Sequence, residues 1–167
     1  MNVKSDFPVF NEGPLYYFDS AATSLTPRVV IDAMQDFYAQ TPANVHRGSY
    51  RLSHQATEKY EAARDTVAQF IHAMPEEVVF TSGASHALNM IAAMVGATLK
   101  PGDEIITSEL EHHSNFLPWQ RIAKEKKAPL RFVELTQDGE ITLENIKKVI
   151  TDKTKVITLT VVSNTMG

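Results

Sequence analysis

The run from Thr81 to Ser85 is the first part of the sequence whose residue types could bind a ligand. An apolar stretch precedes it and a helical pattern follows it, which predicts a turn between a strand and a helix. Gly83 allows a close backbone approach, while Ala84 and Ser85 place two amides and a hydroxyl at the helix N-terminus. Because free N–H groups and the helix dipole favour an anion, the run predicts a phosphate cradle. A small-residue turn without a ligand is the plain alternative.

Two adjacent histidines, His112 and His113, follow Glu111. Neighbouring side chains in an extended segment point to opposite sides, so the two rings are poorly placed to bind one metal ion. No HExxH helix or other ligand spacing accompanies them, and we predict no metal site. A neutral imidazole is also a flat ring that can stack on another aromatic ring. A surface loop with two histidines is the alternative.

Two more polar groups fall in predicted loops. His46 and Arg47 lie between two predicted helices, where a guanidinium could bind a carboxylate through paired hydrogen bonds. Residue type alone leaves a solvated loop as an equal alternative. Asn164 follows the last predicted strand, a position where asparagine most often only forms a turn.

These groups must be positioned by elements that alternate along the chain. Residues 16–18, 78–80, 104–107, 130–134 and 155–162 have strand patterns. Helices are predicted at about 27–40, 53–72, from 85 onward, 115–126 and 142–150, with Thr26 and Thr142 as N-caps. The alternation implies an α/β architecture with a largely parallel sheet. Ligands in such sheets bind beyond the carboxyl ends of the strands, and the chain ends just past its last predicted strand.

Helical spacing also predicts which side chains are buried. On the long second helix, the residues predicted to form the buried face are Tyr60, Ala63, Val67, Phe70 and Ile71. For the following helix the predicted inner face is Leu88, Ile91, Ala92 and Val95.

Composition excludes several classes of protein. The 167 residues are 43% hydrophobic and 22% charged, with a formal net charge of -4, which is typical of a soluble protein. No basic run indicates nucleic acid as a partner, and no apolar stretch approaches the about 20 residues of a membrane helix. The start has no apolar leader, so we expect a cytoplasmic protein. The chain has no cysteine, which excludes disulfides, thiolate metal sites and a cysteine nucleophile within it.

Taken together and in order, seven stretches resemble the class V aminotransferase family, and within it the SufS-like cysteine desulfurase and selenocysteine lyase branch. They are residues 17–22, 45–48, 52–64, 80–89, 102–106, 111–120 and 162–164. The resemblance covers nearly the whole chain beyond Tyr16. It implies pyridoxal 5′-phosphate (PLP) fold type I, with a segment 1–20 and, at 21–167, an incomplete amino-terminal part of the large PLP-binding domain.

The resemblance also implies roles for the residues singled out above. Gly83, Ala84 and Ser85 would hold the PLP phosphate, and His112 would stack on the pyridine ring, with proton transfer as a second role. Asn164 would hydrogen-bond the phenolic oxygen of the cofactor. The implied substrate-side residues are Ala21, Ala22, His46 and Arg47. The family commonly has two threonines where this chain has Ala84 and Ser85, so Ala84 can offer only its backbone amide.

The implied reaction removes sulfur from L-cysteine, or selenium from L-selenocysteine, and leaves alanine. PLP would act as the electron sink, and a cysteine thiolate would take the sulfur as a persulfide for iron–sulfur cluster assembly. The resemblance further implies a homodimer and a sulfur-acceptor protein as partner. Another class V enzyme, such as a kynureninase, is the close alternative, and a truncated, non-catalytic product that binds a partner is the alternative from another class.

The family's pyridine-binding aspartate, Schiff-base lysine and acceptor cysteine are expected beyond Gly167, so we expect the chain alone to be inactive. We also expect strand 78–80 to pair with a strand outside the chain. A further absent strand is expected to separate 155–162 from 104–107. Unpaired strand edges favour aggregation or disorder, and we therefore expect that this chain does not fold natively alone.

Overall fold

The computed structural model describes residues 3–166 and divides into two compact units, Met1–Val79 and Phe80–Gly167. The first unit contains helices α1 (Arg28–Gln40) and α2 (Arg51–Phe70), with short 3₁₀ turns at Lys4–Asp6, Pro8–Glu12 and Pro75–Glu77. The second contains α3 (Ala84–Thr98), β1 (Glu104–Ser108), α4 (His113–Lys126), β2 (Leu130–Val133), α5 (Leu143–Val149) and β3 (Thr154–Ile157).

The helices of the first unit form where the sequence predicts them, with small shifts at their ends. Pro27, and not Thr26, is the N-cap of α1, and no side chain caps this helix. Proline has a fixed φ and no N–H, so it suits the position where the helix begins. The second helix begins at Arg51, two residues before the predicted start.

The predicted buried face of the second helix is wrong, because Ala63, Val67, Phe70 and Ile71 are exposed and Tyr60 is only half-buried. Phe70 is 86% exposed and Ile71 is 54% exposed, whereas the buried residues of this helix are Ser53, Ala56 and Ala68. Ser53 donates a hydrogen bond from its hydroxyl to the carbonyl of Asn44 at 2.9 Å, which connects the first turn of α2 to the preceding loop. Periodicity identifies an apolar face, but it does not show whether another element covers that face.

The sheet of the second unit is parallel, with the order β2-β1-β3. In the centre, Ile105 of β1 pairs with Leu130 on one side and Val156 on the other. Both Ile105 and Ile106 are fully buried, as expected for a strand covered on both faces. The predicted α/β architecture, with a parallel sheet flanked by helices, is confirmed.

Three details of the predicted sheet are wrong. The third strand pairs directly with β1, so no strand separates them, and the Thr158 amide still donates to the carbonyl of Ile106 at 2.9 Å. The same strand ends at Ile157 and not at residue 162. Residues 16–18 and 78–80 form no strand, because an extended segment becomes a strand only through ladder hydrogen bonds to a neighbour.

The core of the second unit joins α3, α4 and β1. Its buried residues are Ala92, Leu99, Ile105, Trp119, Ile122 and Ala128. Of the predicted inner face of α3, Ala92 is buried, while Ile91 and Val95 remain exposed. Gly96 allows close helix packing, since a Cβ there would lie 2.7 Å from Cγ2 of Ile122. This contact fixes the spacing of the two helices whose N-termini carry the predicted cofactor residues.

Candidate cofactor site

The turn that leads into α3 has the conformation predicted for a close backbone approach. Gly83 is the N-cap of α3, with a φ of 148° that other residues rarely adopt. A Cβ at this position would meet nothing within 4 Å, so the space beside it is open. The Thr81 hydroxyl donates to the carbonyl of Gly83 at 3.1 Å, and His86 Nδ1 accepts from the Ser82 amide at 3.4 Å. These bonds hold the turn from both sides.

Ala84 and Ser85 are the first two residues of α3, and both are exposed. The first amides of a helix have no intrahelical acceptor, and the helix dipole places partial positive charge there. The first turn of α3 contains no acidic residue. Asn89, one turn further on, donates to the carbonyl of Ser85 at 2.8 Å. The amides and the Ser85 hydroxyl therefore form a set of donors suited to an anion.

His112 is the N-cap of α4, which begins at His113 and not at the predicted residue 115. The Ser114 amide donates to Nδ1 of His112 at 3.2 Å, and the Ser114 hydroxyl lies 2.8 Å from the same atom. Since Nδ1 accepts a hydrogen bond, the neutral ring carries its proton on Nε2. The His112 and His113 rings lie 6.1 Å apart and are inclined by 44°, so they do not stack on each other.

The structure brings Ser85 and His112 to one cleft of about 460 Å³ between the amino-terminal parts of α3 and α4. Its lining residues are Ser85, Asn89, His112, His113, Ser114, Leu117, Pro118 and Arg121. Sequence reasoning missed Asn89, Ser114 and Arg121 as members of this cleft. The spacing of Ser85 and Asn89, one helical turn apart, was the signal that could have found the first of them.

Asn164 is exposed and lies in a turn of residues 164–166. The turn is held by the buried Ser163, whose hydroxyl accepts from the amides of Thr165 and Met166. Asn164 is not among the residues that line the cleft between α3 and α4. Its predicted role beside His112 therefore stays a prediction.

The four predicted substrate-side residues all lie in the first unit. Ala21 and Ala22 are in an exposed turn, and Arg47 is exposed. His46 has a φ of 60°, its amide donates to the Thr57 hydroxyl at 3.0 Å, and its Nε2 lies 2.9 Å from Oε1 of Glu61. This loop is held in a defined conformation, and the substrate roles stay predictions.

The described residues fit a phosphorylated aromatic cofactor. The start of α3 offers amides, a hydroxyl and open space beside Gly83 for a phosphate, and the His112 ring lies on the same cleft. Among residues 3–166, no group of three or more histidine or carboxylate side chains is arranged to hold a metal ion. No helix within that range is long and apolar enough to cross a membrane.

Comparison with known proteins identifies the family. The aminotransferase class-V family model matches residues 16–167. Probable cysteine desulfurases of Staphylococcus aureus and of a Synechocystis species are 44% and 46% identical over 99% of this chain. The chain covers 41% of the length of each, so it spans about two fifths of these relatives.

Solved structures agree with that result. The apo cysteine desulfurase from Thermococcus onnurineus is 45% identical, with a TM-score of 0.92 over 99% of this chain and 40% of that protein. The cysteine desulfurase CsdA from Escherichia coli is 35% identical, with a TM-score of 0.79 over 92% of this chain and 39% of that protein. The chain belongs to the class-V aminotransferase family.

Proposed function

We propose that this chain forms part of a PLP-dependent cysteine desulfurase and supplies the phosphate end and one ring face of its cofactor site. The observation that carries the proposal is the shared cleft of Ser85 and His112 at the starts of α3 and α4. Relatives named as cysteine desulfurases support the substrate, as does a solved relative in complex with cysteine that is 26% identical with a TM-score of 0.79. Because the chain spans two fifths of the curated relatives, the whole reaction belongs to the proposal.

The start of α3 would hold the cofactor phosphate. The amides of Ala84 and Ser85 and the Ser85 hydroxyl would donate hydrogen bonds to its oxygens, and the helix dipole would favour its charge. Gly83 lets the backbone approach closely, since no side chain occupies the space beside it. Ala84 contributes no hydroxyl, so Ser85 is the only side-chain donor in this three-residue set.

His112 would cover one face of the cofactor ring and handle a proton. Its Nδ1 accepts from Ser114, so Nε2 is the ring nitrogen that holds the proton and would donate a hydrogen bond to the substrate. PLP, when bound, supplies the electron sink for bond cleavage at the amino acid.

The net reaction of the proposal converts L-cysteine and an enzyme thiol into alanine and an enzyme persulfide. The chain has no cysteine, so the acceptor thiol would come from outside these 167 residues. Asn164 is assigned to the phenolic oxygen of the cofactor, and the substrate-side assignment is Ala21, Ala22, His46 and Arg47. Cytoplasmic location, a homodimer, a sulfur-accepting partner in iron–sulfur cluster assembly and a division into segments 1–20 and 21–167 remain predictions that the resemblance implies.

The test uses the intact protein, purified and loaded with PLP. We expect one bound PLP per chain and release of alanine from L-cysteine. Ser85→Ala removes one hydrogen bond to the phosphate and is expected to weaken PLP binding about tenfold, measured by titrating the apo protein. Glu144→Gln is the control, because Glu144 is exposed, pairs with Lys148 at 3.5 Å and does not line the cleft, and this variant should bind PLP as the wild type does.

Two results would change the proposal. Failure of the intact wild-type protein to bind PLP would reject it. Turnover of L-selenocysteine without turnover of L-cysteine would replace the desulfurase by a selenocysteine lyase.

A further inference from the structure

Glu111 precedes α4, and its carboxylate joins three parts of the second unit. Oε1 accepts from the Ser108 hydroxyl at 3.0 Å and from the Thr160 amide at 2.6 Å. Oε2 accepts from Nδ2 of Asn115 at 2.6 Å. One side chain thus connects the end of β1, the first turn of α4 and the segment that follows β3.

Asn115, which bonds to the Glu111 carboxylate, also bonds to Thr158, just beyond β3. Its Oδ1 accepts from the Thr158 hydroxyl at 2.9 Å, while the Thr158 amide still bonds to the carbonyl of Ile106. Two residues later, the Thr160 amide bonds to Glu111 and not to β1. The hydrogen bonds to β1 end at Thr158, and beyond that residue the Glu111 carboxylate holds the segment that follows β3.

The donors around Glu111 are all neutral. Among residues 3–166, no arginine, lysine or histidine nitrogen lies within 4.0 Å of its carboxylate. The nearest compensation for its charge is the start of α4, since an anion next to a helix N-terminus is stabilised by the dipole. Ser108 is 1% exposed, so the network extends into the buried end of β1.

We propose that Glu111 is a positioning residue of the cofactor site, which fixes the turn bearing His112 against the segment leading to Asn164. His112 directly follows Glu111, and Asn164 follows Thr160 by four residues. The inference rests on the proposed function, which assigns His112 to the ring face of PLP and Asn164 to its phenolic oxygen. Glu111 itself touches neither substrate nor cofactor in this assignment.

The hydrogen-bond pattern predicts which substitutions the network tolerates. In Glu111→Gln the amide oxygen can still accept from Ser108 and Thr160. Its NH₂ group can donate to Asn115 if the Asn115 amide turns over, and the Thr158 hydroxyl can then accept where it donated before. Glu111→Leu has a similar size but no acceptor, and it leaves the Thr160 amide without its partner.

The experiment uses the intact protein, stripped of PLP and titrated with PLP. The visible circular dichroism of the bound cofactor is recorded at saturation. For Glu111→Leu we expect the PLP dissociation constant to rise about tenfold or more and the dichroic band to shrink. The reason is that the turn bearing His112 and the segment leading to Asn164 are no longer held together. Glu111→Gln should remain within about threefold of the wild type, since its network can be rebuilt.

The control is Glu109→Leu, on the same turn. Glu109 is exposed, and no hydrogen bond or ion pair of its side chain appears among the described residues. It should leave both the dissociation constant and the dichroic band unchanged. Thr158→Val removes only the outer bond to Asn115, and its PLP dissociation constant should rise by about threefold even if Glu111→Leu does not fold.

A purely structural role gives a different result. If Glu111→Leu or Thr158→Val lowers the melting temperature of the apo protein while PLP affinity and the dichroic band stay at wild-type values, the inference is overturned. If the wild type binds no PLP, the proposed function is rejected, and the inference that rests on it is rejected as well. Normal wild-type binding with unaffected variants rejects the inference alone.

Discussion

Two glutamates lie at opposite ends of β1, and they hold the sheet in different ways. At the amino end, the buried Glu104 receives a 2.6 Å hydrogen bond from the guanidinium of Arg131 and another of 2.6 Å from the Thr151 hydroxyl. Beyond the carboxyl end, Glu111 is held by neutral donors only. One carboxylate is paired with a cation and the other faces the start of a helix.

The two ends of β1 therefore differ in what they are expected to support: the Glu104 end stabilises the fold, and the Glu111 end positions the cofactor site. Hydrogen bonds from Arg131 and then Thr151 lower the pKa of Glu104 below its ordinary value, while the same contact raises the pKa of Arg131. The ligand edge of a parallel sheet is its carboxyl end, where Glu111, His112 and the start of α4 lie. We therefore expect changes at the Glu104 end to affect stability alone and changes at the Glu111 end to affect cofactor binding.

The largest expected effect on stability comes from Glu104→Gln in the intact protein. The variant loses the charge pair with Arg131, so its melting temperature at neutral pH should fall, while PLP affinity stays unchanged. The pKa of Glu104 is lowered by folding, so the stabilisation is present at neutral pH. It is lost as pH falls from about 4.5, the ordinary value, through the lowered pKa. Melting curves of both proteins should therefore converge in acid.

Glu144→Gln is the control for loss of a carboxylate charge, since Glu144 is exposed and lies 3.5 Å from Lys148. It should change the melting temperature very little at any pH. A Glu104→Gln deficit that stays constant down to acid pH, or a parallel loss of PLP affinity, would contradict the division between the two ends.

A smaller effect is expected from removing the two side-chain N-caps of the second unit. His112 caps α4, and Thr142 caps α5 by accepting from the Asn145 amide at 3.1 Å. His112→Ala and Thr142→Ala should each lower the free energy of unfolding by about 1 kcal/mol, measured by urea denaturation. Only His112→Ala should also reduce PLP affinity and the visible dichroic band. If both variants reduced PLP affinity equally, helix capping and not contact with the His112 ring would account for the loss of PLP binding.

The smallest effect on stability is expected at Thr107, the penultimate residue of β1. The hydroxyl of Thr107 is buried, and it has no hydrogen-bond partner among residues 3–166. Thr107→Val removes this unpaired group and should raise the free energy of unfolding by up to about 1 kcal/mol with PLP affinity unchanged. Thr154→Val is the matched control, because the Thr154 hydroxyl accepts from the Thr151 amide at 2.9 Å and its loss should destabilise. A destabilised Thr107→Val would show that the hydroxyl has a partner in solution.

Local signals predicted the elements that form through local interactions. Thr142 was predicted as an N-cap and is one, and β1 was predicted to within one residue. The turn at Gly83 was predicted from small residues between an apolar stretch and a helical pattern, and the structure shows it. These features depend on side-chain periodicity, capping and glycine conformation, all of which can be read along the chain.

The remaining features depend on contacts between distant residues. The pairing of β3 with β1 and the exposure of Phe70 follow from which neighbour each segment finds, and residue patterns do not encode that. The role of Glu111 was missed for the same reason. Its bond to Thr160 spans 49 positions, and the sequence presented Glu111 only as a neighbour of two histidines.

The contact between Gly96 and Ile122 has a consequence for how this part of the molecule can evolve. A Cβ at position 96 would lie 2.7 Å from the Ile122 side chain, so a larger residue there needs a smaller one at 122. A larger residue at position 96 alone would clash with Ile122, and a smaller residue at position 122 alone would leave a cavity. The residues at positions 96 and 122 are therefore expected to covary among relatives. Paired changes of this kind should preserve the distance between the starts of the two helices that carry Ser85 and His112.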